Sequence, residues 1–316
     1  MFEPDCRLRV LVLGGGGFFG RYIVAELNTR GHEVFITCRD SAALNRSPAQ
    51  VIIGDFSQAD FIASVMDQVQ PELIINCAAA GVVPSRADSD AMCYLSNVQC
   101  VADVLNEAEL RKVSRVVQIG SCFEYGSQLE PLKESDAIAP KGAYSLTKAM
   151  GSTLVNELGP RLEVDTLVIK LFSIWGAGEH PDRLPYQILS SLSQNQPLNM
   201  SSGEQLRDYL YAADAAEMVV ALALKSGRYA GRNINLGSGH GIRIKDFSLK
   251  FARYLNQPER LLFGQQTLRA DEQANFVADI QYLQEVLGEV IDRRELFGQR
   301  VAQYLSYVRN NEGWDV

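Results

Sequence analysis

A tyrosine and a lysine four residues apart, Tyr144 and Lys148, are the first candidates for catalytic chemistry in this sequence. Positions four apart lie on one face of a helix about one turn apart, so both side chains can reach one ligand. An ammonium group beside a phenol stabilises the phenolate and lowers the pKa of the phenol. Such a phenol can act as general acid or base at an alcohol or ketone. Because this spacing is common, it predicts a function only together with a further polar group.

Ser121 supplies that further group. It follows an apolar stretch at 116–119, which predicts a buried strand. Ligands of open α/β sheets bind outside the carboxyl ends of the strands, which is where this serine is expected. Its hydroxyl could hydrogen-bond a substrate oxygen and position a carbonyl for hydride transfer. We therefore predict that Ser121, Tyr144 and Lys148 are the catalytic residues.

A glycine-rich turn, GGGGFFG at 14–20, lies between a predicted strand and a predicted helix. Glycine tolerates positive φ and lets a pyrophosphate approach the backbone, while the helix N-terminus offers N–H donors to the anion. The run fits G-x-G-x-x-G from Gly15 and G-x-x-G-x-x-G from Gly14. Both registers predict dinucleotide binding; the alternative is a flexible turn without a ligand. The predicted contacts are Gly14, Gly17, Phe18, Phe19 and Gly20.

The residues after the second and third predicted strands bear on the choice of cofactor. An acid at the end of strand two would bond the ribose hydroxyls of NAD, but Cys38 stands there and Arg39 follows. A guanidinium at this point favours a 2′-phosphate, so NADP(H) is predicted as the preferred cofactor, with NAD(H) still possible. In the alternative, Arg39 is a surface charge and Asp40 takes the NAD role. Asp55 and Phe56 are predicted to flank the adenine.

Composition excludes several classes of protein. The formal net charge of -8 over 316 residues argues against nucleic acid as a partner, since phosphate backbones need a basic surface. No stretch approaches the roughly 20 apolar residues that cross a bilayer, and the acidic first five residues do not resemble a signal peptide, so a cytoplasmic protein is expected. Six scattered cysteines without a Cys-x-x-Cys pair, and three distant histidines, predict no metal site.

Short apolar runs alternate with amphipathic stretches in the first half, which predicts βαβ units and a parallel sheet. The fold class predicted is α/β, a Rossmann-type doubly wound sheet with a smaller mixed C-terminal lobe. Residues 1–172, completed by about 205–240, would form the NAD(P)-binding domain, and 173–204 with 241–316 the substrate-binding lobe. Asp214 is interpreted as a helix cap. Strands are predicted at 9–13, 33–38, 51–53, 73–77, 116–119, 165–171 and 233–236, and helices at 18–31, 60–69, 98–110, 143–158 and 186–194.

The glycine turn, Ser121 and the Tyr144/Lys148 pair together resemble the extended short-chain dehydrogenase/reductases, and more narrowly the NAD-dependent epimerase/dehydratases of nucleotide sugars. The resemblance covers nearly the whole chain and implies that Ala78 and Ala79 line the cofactor. It also implies that Asn97 orders the active-site helix. Residues 173–178 and 207–211 resemble the family's Asn-Val-Tyr-Gly-Pro-Gly and Arg-Asp-Phe-Ile-Tyr motifs. Two departures are Leu13 for the usual threonine and Ser173 for the usual asparagine.

The residues after Ser121 bear on the reaction. Sugar 4,6-dehydratases of the family carry an Asp-Glu pair there, whereas this chain has Cys122 and Phe123. The run SCFEYG at 121–126 is more similar to reductases of 4-keto-6-deoxy nucleotide sugars, such as the CDP-abequose-synthase type. The resemblance thus implies an NADPH-dependent 4-ketoreductase of deoxysugar biosynthesis. The alternatives are a 4-epimerase with tightly bound NAD, a dehydratase, and a non-catalytic NADP(H)-binding sensor.

Four residues are predicted to contact the substrate. Arg207 is the predicted phosphate ligand, because a guanidinium binds phosphate through two donors; an ion pair is the alternative. Arg183 is a weaker candidate in a loop-rich segment. Cys122 and Glu124 follow the catalytic serine, and each has a structural role as its alternative.

The resemblance also implies a homodimer, formed through the helices at 98–110 and 143–158. The apolar positions on these helices equally fit the core of a single chain. They are Val101, Val104, Leu105, Leu154, Val155 and Leu158.

Overall fold

A computed structural model describes residues 6–39, 48–56, 58, 60–82, 88–267 and 274–312. Apolar runs bounded by glycine and polar residues form a parallel sheet of seven strands, which is buried on both faces as such runs predict. The order across the sheet is β10-β6-β5-β4-β1-β2-β3. Its strands are β1 (Arg9–Leu13), β2 (Glu33–Cys38), β3 (Gln50–Ile53), β4 (Leu73–Asn76), β5 (Arg115–Ser121), β6 (Asp165–Leu171) and β10 (Arg232–Leu236).

Helices cover both faces of this sheet, which confirms the predicted fold class. Helices α1 (Phe18–Thr29) and α7 (Ala212–Leu224) share one apolar core with the sheet. Helices α2 (Phe61–Val69) and α4 (Cys100–Leu110) cover the opposite face. The predicted helix at 98–110 starts earlier, since α3 (Asp90–Tyr94) runs through a π-helical segment, Leu95–Gln99, into α4. Helix α5 (Ala143–Leu158) has the predicted bounds.

The second half of the chain holds strands and a helix that the sequence did not predict. Strand β9 (Leu206–Tyr211) lies between β11 (Gly241–Arg243) and β13 (Asn275–Phe276), and β7 (Ser173–Trp175) also pairs with it. A short two-stranded sheet joins β8 (Leu198–Asn199) and β12 (Leu261–Leu262). The remaining helices are α6 (Leu184–Ser193), α8 (Ile244–Tyr254), α9 (Gln281–Leu287) and α10 (Phe297–Glu312).

An aromatic cluster around Trp175 forms the core of this second part. The indole packs edge-on against Tyr211 and Phe251, with ring centroids 5.1 Å and 5.2 Å away.

Helix α7 was not predicted, because it is apolar on nearly all sides, a pattern typical of a fully buried helix. No helix among the described residues has the length and apolarity to cross a membrane.

Asp214 corrects one interpretation of the sequence. It lies in the first turn of α7 rather than at its cap, and its carboxylate accepts hydrogen bonds from Arg300 at 2.6 Å and 2.7 Å. It also accepts one from Arg293 at 3.1 Å. The residue therefore fastens the C-terminal part of the chain to α7.

Candidate active site

The glycine turn between β1 and α1 packs closely against the neighbouring strand end. Gly14 has a φ of +73°, and a Cβ on it would lie 2.8 Å from the Cα of Ala78. A Cβ on Gly20 would lie 2.4 Å from the Gly14 carbonyl oxygen. Helix α1 begins after Gly17 without a side-chain cap, and helix N-termini of this kind bind phosphate. The backbone of this turn therefore fits the pyrophosphate of a dinucleotide.

The two phenylalanines of the turn have their side chains engaged within the protein. Phe18 packs edge-on against Tyr22, with ring centroids 5.8 Å apart, and Phe19 is buried in the core. A cofactor would therefore meet Phe18 and Phe19 mainly through their backbone N–H groups.

The end of β4 forms the other wall of this cradle. Asn76 is buried, donates to Gln118 Oε1 at 2.9 Å and accepts from the Ala78 N–H at 3.2 Å. These bonds fix the course of the backbone through Ala78 and Ala79, beside Gly14. Ala78 thus lies against the glycine turn, and the cofactor contact of Ala78 and Ala79 stays a prediction.

Arg39 and Asp55 lie together at the carboxyl ends of β2 and β3. The Arg39 side chain is 56% exposed, and its Nε lies 4.0 Å from Asp55 Oδ2. Phe56 is half-buried and packs edge-on against Phe61 at 5.9 Å. Asp40, the alternative ribose ligand, lies outside the described residues.

Asn97 connects the π-helical segment to α5. Its Nδ2 donates to the Ala80 carbonyl at 3.0 Å and to Thr147 Oγ1 at 2.9 Å, while its Oδ1 accepts from the Ala80 N–H at 3.0 Å. A Cβ on Gly151 would lie 2.2 Å from the Asn97 carbonyl oxygen, so this glycine lets α5 approach closely. The order that the resemblance implied for the active-site helix thus has a physical basis.

The structure brings the three predicted catalytic residues together. Ser121 ends β5, and its side chain is close enough to Tyr144 to lower the pKa of the phenol. The Phe123 N–H donates to Ser121 Oγ at 3.2 Å, which orients the hydroxyl. One turn along α5, the buried Lys148 donates from Nζ to the Ile119 carbonyl.

Burial shifts the pKa of both titrating groups away from the ionised form. It raises the pKa of Tyr144 to about 12, while the side chain of Ser121 lowers it. Burial likewise lowers the pKa of Lys148, and the charge of Glu124 opposes that change. Before any ligand enters, the phenol of Tyr144 is therefore a proton donor at neutral pH.

Cys122 and Phe123 stand where dehydratases carry their acidic pair, and neither can serve as a strong acid. The Cys122 thiol is 1% exposed, and burial raises its pKa to about 12. Phe123 packs edge-on against Phe276, with centroids 4.8 Å apart. Burial of Cys122 argues against the predicted substrate contact, because a ligand could reach this thiol only if the surrounding side chains moved.

Glu124 is fully buried rather than open to a substrate. Its Oε1 accepts from the Ser121 N–H at 2.7 Å and from Ser152 Oγ at 3.0 Å. Its Oε2 lies 3.1 Å from Lys170 Nζ, with both side chains at most 1% exposed. These contacts argue against the predicted substrate contact, because the carboxylate already serves Ser121, Ser152 and Lys170.

The charges of both predicted arginines act on the residue after Ser121. Arg207 and Arg183 each lower the pKa of the Cys122 thiol. Arg207 is 6% exposed and donates to the Leu206 and Ala274 carbonyls at 2.8 Å and 3.1 Å. Arg183 is half-exposed, and its charge also lowers the pKa of Tyr144. Of the four predicted substrate contacts, Arg183 is the most accessible.

Two buried charged residues near the site were missed from the sequence. Lys170 interrupts an apolar strand, and a lysine in such a strand requires a buried partner, which is a signal that could have revealed it. Glu179 follows the Gly-Ala-Gly turn, accepts from Tyr304 at 2.9 Å and lies 3.8 Å from Arg183. No group of three or more metal-binding side chains occurs among the described residues.

Residues 10–237 match the NAD dependent epimerase/dehydratase family. The chain is 27% identical over 244 residues to the dTDP-6-deoxy-L-talose 4-dehydrogenase (NAD(P)(+)) of Kitasatospora kifunensis, covering 73% of this chain and 74% of that protein. It is 24% identical over 329 residues to a UDP-glucose 4-epimerase of Azospirillum brasilense, covering 96% and 93%.

The fold also has solved relatives. A UDP-N-acetylglucosamine 4-epimerase from Methanobrevibacter ruminantium M1 superposes with a TM-score of 0.85 at 19% identity, covering 96% of this chain and 99% of that one. At that identity the likeness shows the extended short-chain dehydrogenase/reductase fold. Since the family match spans most of the sequence and includes the glycine turn, Ser121, Tyr144 and Lys148, the chain belongs to the NAD dependent epimerase/dehydratase family.

Proposed function

We propose that this protein uses NADPH to reduce the 4-keto group of a nucleotide-linked 6-deoxy sugar. The observation that carries the proposal is that Ser121 and Tyr144 come together at a site where Cys122 and Phe123 stand in place of the acidic pair of the dehydratases. Such a site has one evident proton-transfer group, the phenol. Reduction of a ketone needs one proton, whereas elimination of water needs a further acid.

The chain's own residues have distinct tasks in this reaction. When bound, the cofactor supplies the hydride that reduces the ketone carbon. Ser121 would hydrogen-bond the substrate oxygen, and Tyr144 would protonate it as negative charge develops. The nearby ammonium of Lys148 stabilises the phenolate that remains and would hold the nicotinamide ribose. Tyr144 then recovers a proton from solvent before the next turnover.

The proposed preference for NADPH depends on Arg39. Its exposed guanidinium directly follows β2, where a 2′-phosphate would be recognised, and Asp55 at 4.0 Å can hold it in place. The carboxylate of Asp55 also repels a phosphate, which limits the expected preference to about tenfold, or 1.4 kcal/mol.

We further propose that residues 1–172 and 205–240 bind the cofactor, while 173–204 and 241–316 form the substrate-binding lobe. Helix α7 and β10 support this division, because they return from the lobe to the main sheet. Arg183 belongs to the lobe, and Arg207 lies on β9, which pairs with β11 and β13 of the lobe. Both charges lower the pKa of Cys122, so these arginines are the proposed ligands of the negatively charged nucleotide sugar.

The direct test is an assay of reduced-cofactor absorbance. The purified protein is mixed with NADPH or NADH and a panel of 4-keto-6-deoxy nucleotide sugars. We expect consumption with one sugar, faster with NADPH, and release of NADP+ in proportion to product. Tyr144→Phe is the matched inactive control. No consumption with any sugar would contradict the reductase.

A 4-epimerase is the second candidate, since a relative that covers 96% of this chain is a UDP-glucose 4-epimerase. An epimerase regenerates its NAD in each cycle and keeps it bound. It would purify with tightly bound NAD, interconvert 4-epimers of a nucleotide sugar and consume no added NADPH. The same three residues would act, with Tyr144 alternating between base and acid.

A homodimer through α4 and α5 is also proposed, with a revised contact set. Val101, Val104, Leu105 and Val155 are buried within the chain. The exposed apolar residues on α5 are instead Leu146 and Met150, which are 51% and 40% exposed and four residues apart. Analytical ultracentrifugation should show a dimer that Leu146→Glu with Met150→Glu converts to monomers; a monomeric wild-type protein would contradict it.

A further inference from the structure

A fully buried ion pair lies directly behind the catalytic serine. Glu124 Oε2 and Lys170 Nζ are 3.1 Å apart, with side chains 0% and 1% exposed. Removing two charges from water costs several kcal/mol per ion, and replacing such a pair by apolar residues is often neutral or stabilising. Stability alone is therefore a weak reason for this pair, and its surroundings must be considered.

The carboxylate of Glu124 closes the turn that carries Ser121. Its Oε1 accepts from the Ser121 N–H at 2.7 Å and from Ser152 Oγ at 3.0 Å, so it joins β5 to α5. The glycine before the serine is part of this arrangement, because a Cβ on Gly120 would lie 2.8 Å from the same oxygen. These contacts fix the backbone from which the Ser121 hydroxyl reaches Tyr144.

The charge of Glu124 also faces the two titrating catalytic groups. The groups that face Tyr144 are Ser121, Cys122 and Glu124 from the end of β5 and Arg183 from the start of α6, while Lys148 lies one turn along its own helix. The groups that face Lys148 are Glu124, Cys77 and Cys100. The charge of Glu124 raises the pKa of both Tyr144 and Lys148.

Lys170 is held in place by a third contact. Its ammonium lies 4.1 Å from the ring centroid of Tyr125, whose hydroxyl donates to Asn235 Oδ1 at 2.9 Å. The positive charge is thus kept beside Glu124, where it offsets the negative charge that Tyr144 and Lys148 would otherwise experience.

We infer that Glu124 and Lys170 are positioning residues of the catalytic site: Glu124 orients Ser121, and Lys170 balances its charge beside Tyr144 and Lys148. The inference rests on the proposed function, in which Ser121, Tyr144 and Lys148 carry the reaction. It applies equally to a reductase and an epimerase, since both need Tyr144 to change its protonation state.

The test is the pH dependence of kcat/KM in charge variants of the pair. Glu124→Gln keeps an acceptor for the Ser121 N–H but leaves the charge of Lys170 unbalanced. The limb of the pH profile that reports the ionisation of Tyr144 should therefore move about one unit to lower pH. Lys170→Met leaves Glu124 unbalanced and should move the limb to higher pH. The double variant and the conservative Lys170→Arg should restore the wild-type position.

Two further variants separate the charge effect from simple support of the fold. Glu124→Asp keeps the charge but withdraws the carboxylate from the Ser121 N–H, so kcat should fall about tenfold or more with the limb unmoved. Asp165→Asn is the matched control, because it breaks the buried pair at the other end of β5 and β6. It should lower the melting temperature and leave the pH profile unchanged.

A limb that stays at its wild-type pH in Glu124→Gln, or an unchanged kcat in Glu124→Asp, would overturn the inference. Should Glu124→Gln fail to fold, the Glu124→Asp and double variants still decide it. If the wild-type protein turns over no substrate, the proposed function fails separately. The ionisation of Tyr144 is then followed through the tyrosinate absorbance that Tyr144→Phe removes, with the same expected order of variants.

Discussion

One ion pair joins β5 to β6 at their amino end, and a second joins the turn after β5 to β6 at the carboxyl end; the two pairs have different surroundings. At the amino end, Arg115 Nη2 lies 2.8 Å from Asp165 Oδ2. The same guanidinium donates to the carbonyls of Ala223 at 2.8 Å, Lys225 at 2.7 Å and Gly227 at 2.6 Å. At the carboxyl end, the partners of the Glu124–Lys170 pair are instead the turn of Ser121 and the catalytic helix.

The two ion pairs differ in the groups that surround them. A guanidinium offers donors in a fixed fork, and Arg115 uses them to bind the last carbonyls of α7, where a positive charge is favoured. The lysine ammonium of the other pair acts as a compact charge beside titrating groups. We therefore expect the amino-end pair to govern stability and the carboxyl-end pair to govern chemistry.

The largest expected effect is that of Tyr144→Phe at the carboxyl end. Loss of the phenolic proton should lower kcat by about 10³–10⁴-fold, the upper range for general acid catalysis. Cofactor affinity, measured by fluorescence titration, should stay within about twofold, and the melting temperature should hardly change. Retained turnover would contradict the proposed role of Tyr144. It would also contradict the expectation that the carboxyl-end ion pair governs chemistry.

Arg115→Met at the amino end should affect stability instead. It leaves Asp165 and the carbonyls at the end of α7 without their cation, so we expect a loss of about 3–5 kcal/mol in the free energy of unfolding. Urea unfolding measures it. Under conditions where the variant is folded, its kcat should match that of the wild type. A large fall in kcat would contradict the expectation that the two ion pairs have separate effects.

Glu179 extends the comparison to a buried acid whose nearest cation lies 3.8 Å away, at Arg183. Burial raises its pKa from 4.5 to about 7, so the folded protein binds an extra proton between these values. The free energy of unfolding should therefore fall as pH rises from about 4.5 to about 7 and then level off. Glu179→Gln, which still accepts from Tyr304, should reduce this fall by roughly 3 kcal/mol. An unchanged pH dependence of unfolding would contradict the assignment.

Arg39→Ala is expected to have the smallest effect. It removes the proposed 2′-phosphate ligand from the end of β2, so the ratio of kcat/KM for NADPH over NADH should fall about tenfold. Steady-state kinetics with both cofactors measures the ratio. A ratio that does not change would leave Arg39 as a surface partner of Asp55 and would favour NAD.

Local patterns predicted the parts of this protein that depend on near neighbours in sequence. The spacing of the glycines predicted the turn, and the apolar runs predicted the parallel strands. Tyr144 and Lys148 are four residues apart on one helix, so their proximity is a property of helix geometry. The bounds of β1, β2, β6 and α5 were predicted correctly for the same reason. In contrast, α7 was missed because it is apolar on nearly all sides, and β9 because it buries the charged residues Arg207 and Asp208.

The sequence by itself determined the sheet, the turn that fits a dinucleotide and the helix that carries the phenol. Only the tertiary structure decided that Glu124 is buried with its carboxylate on the Ser121 N–H, and that Lys170 is its partner. The physical reason is distance along the chain. Glu124 and Lys170 become neighbours only when β5 and β6 pair in register, and the burial that makes their charges matter exists only in the packed fold.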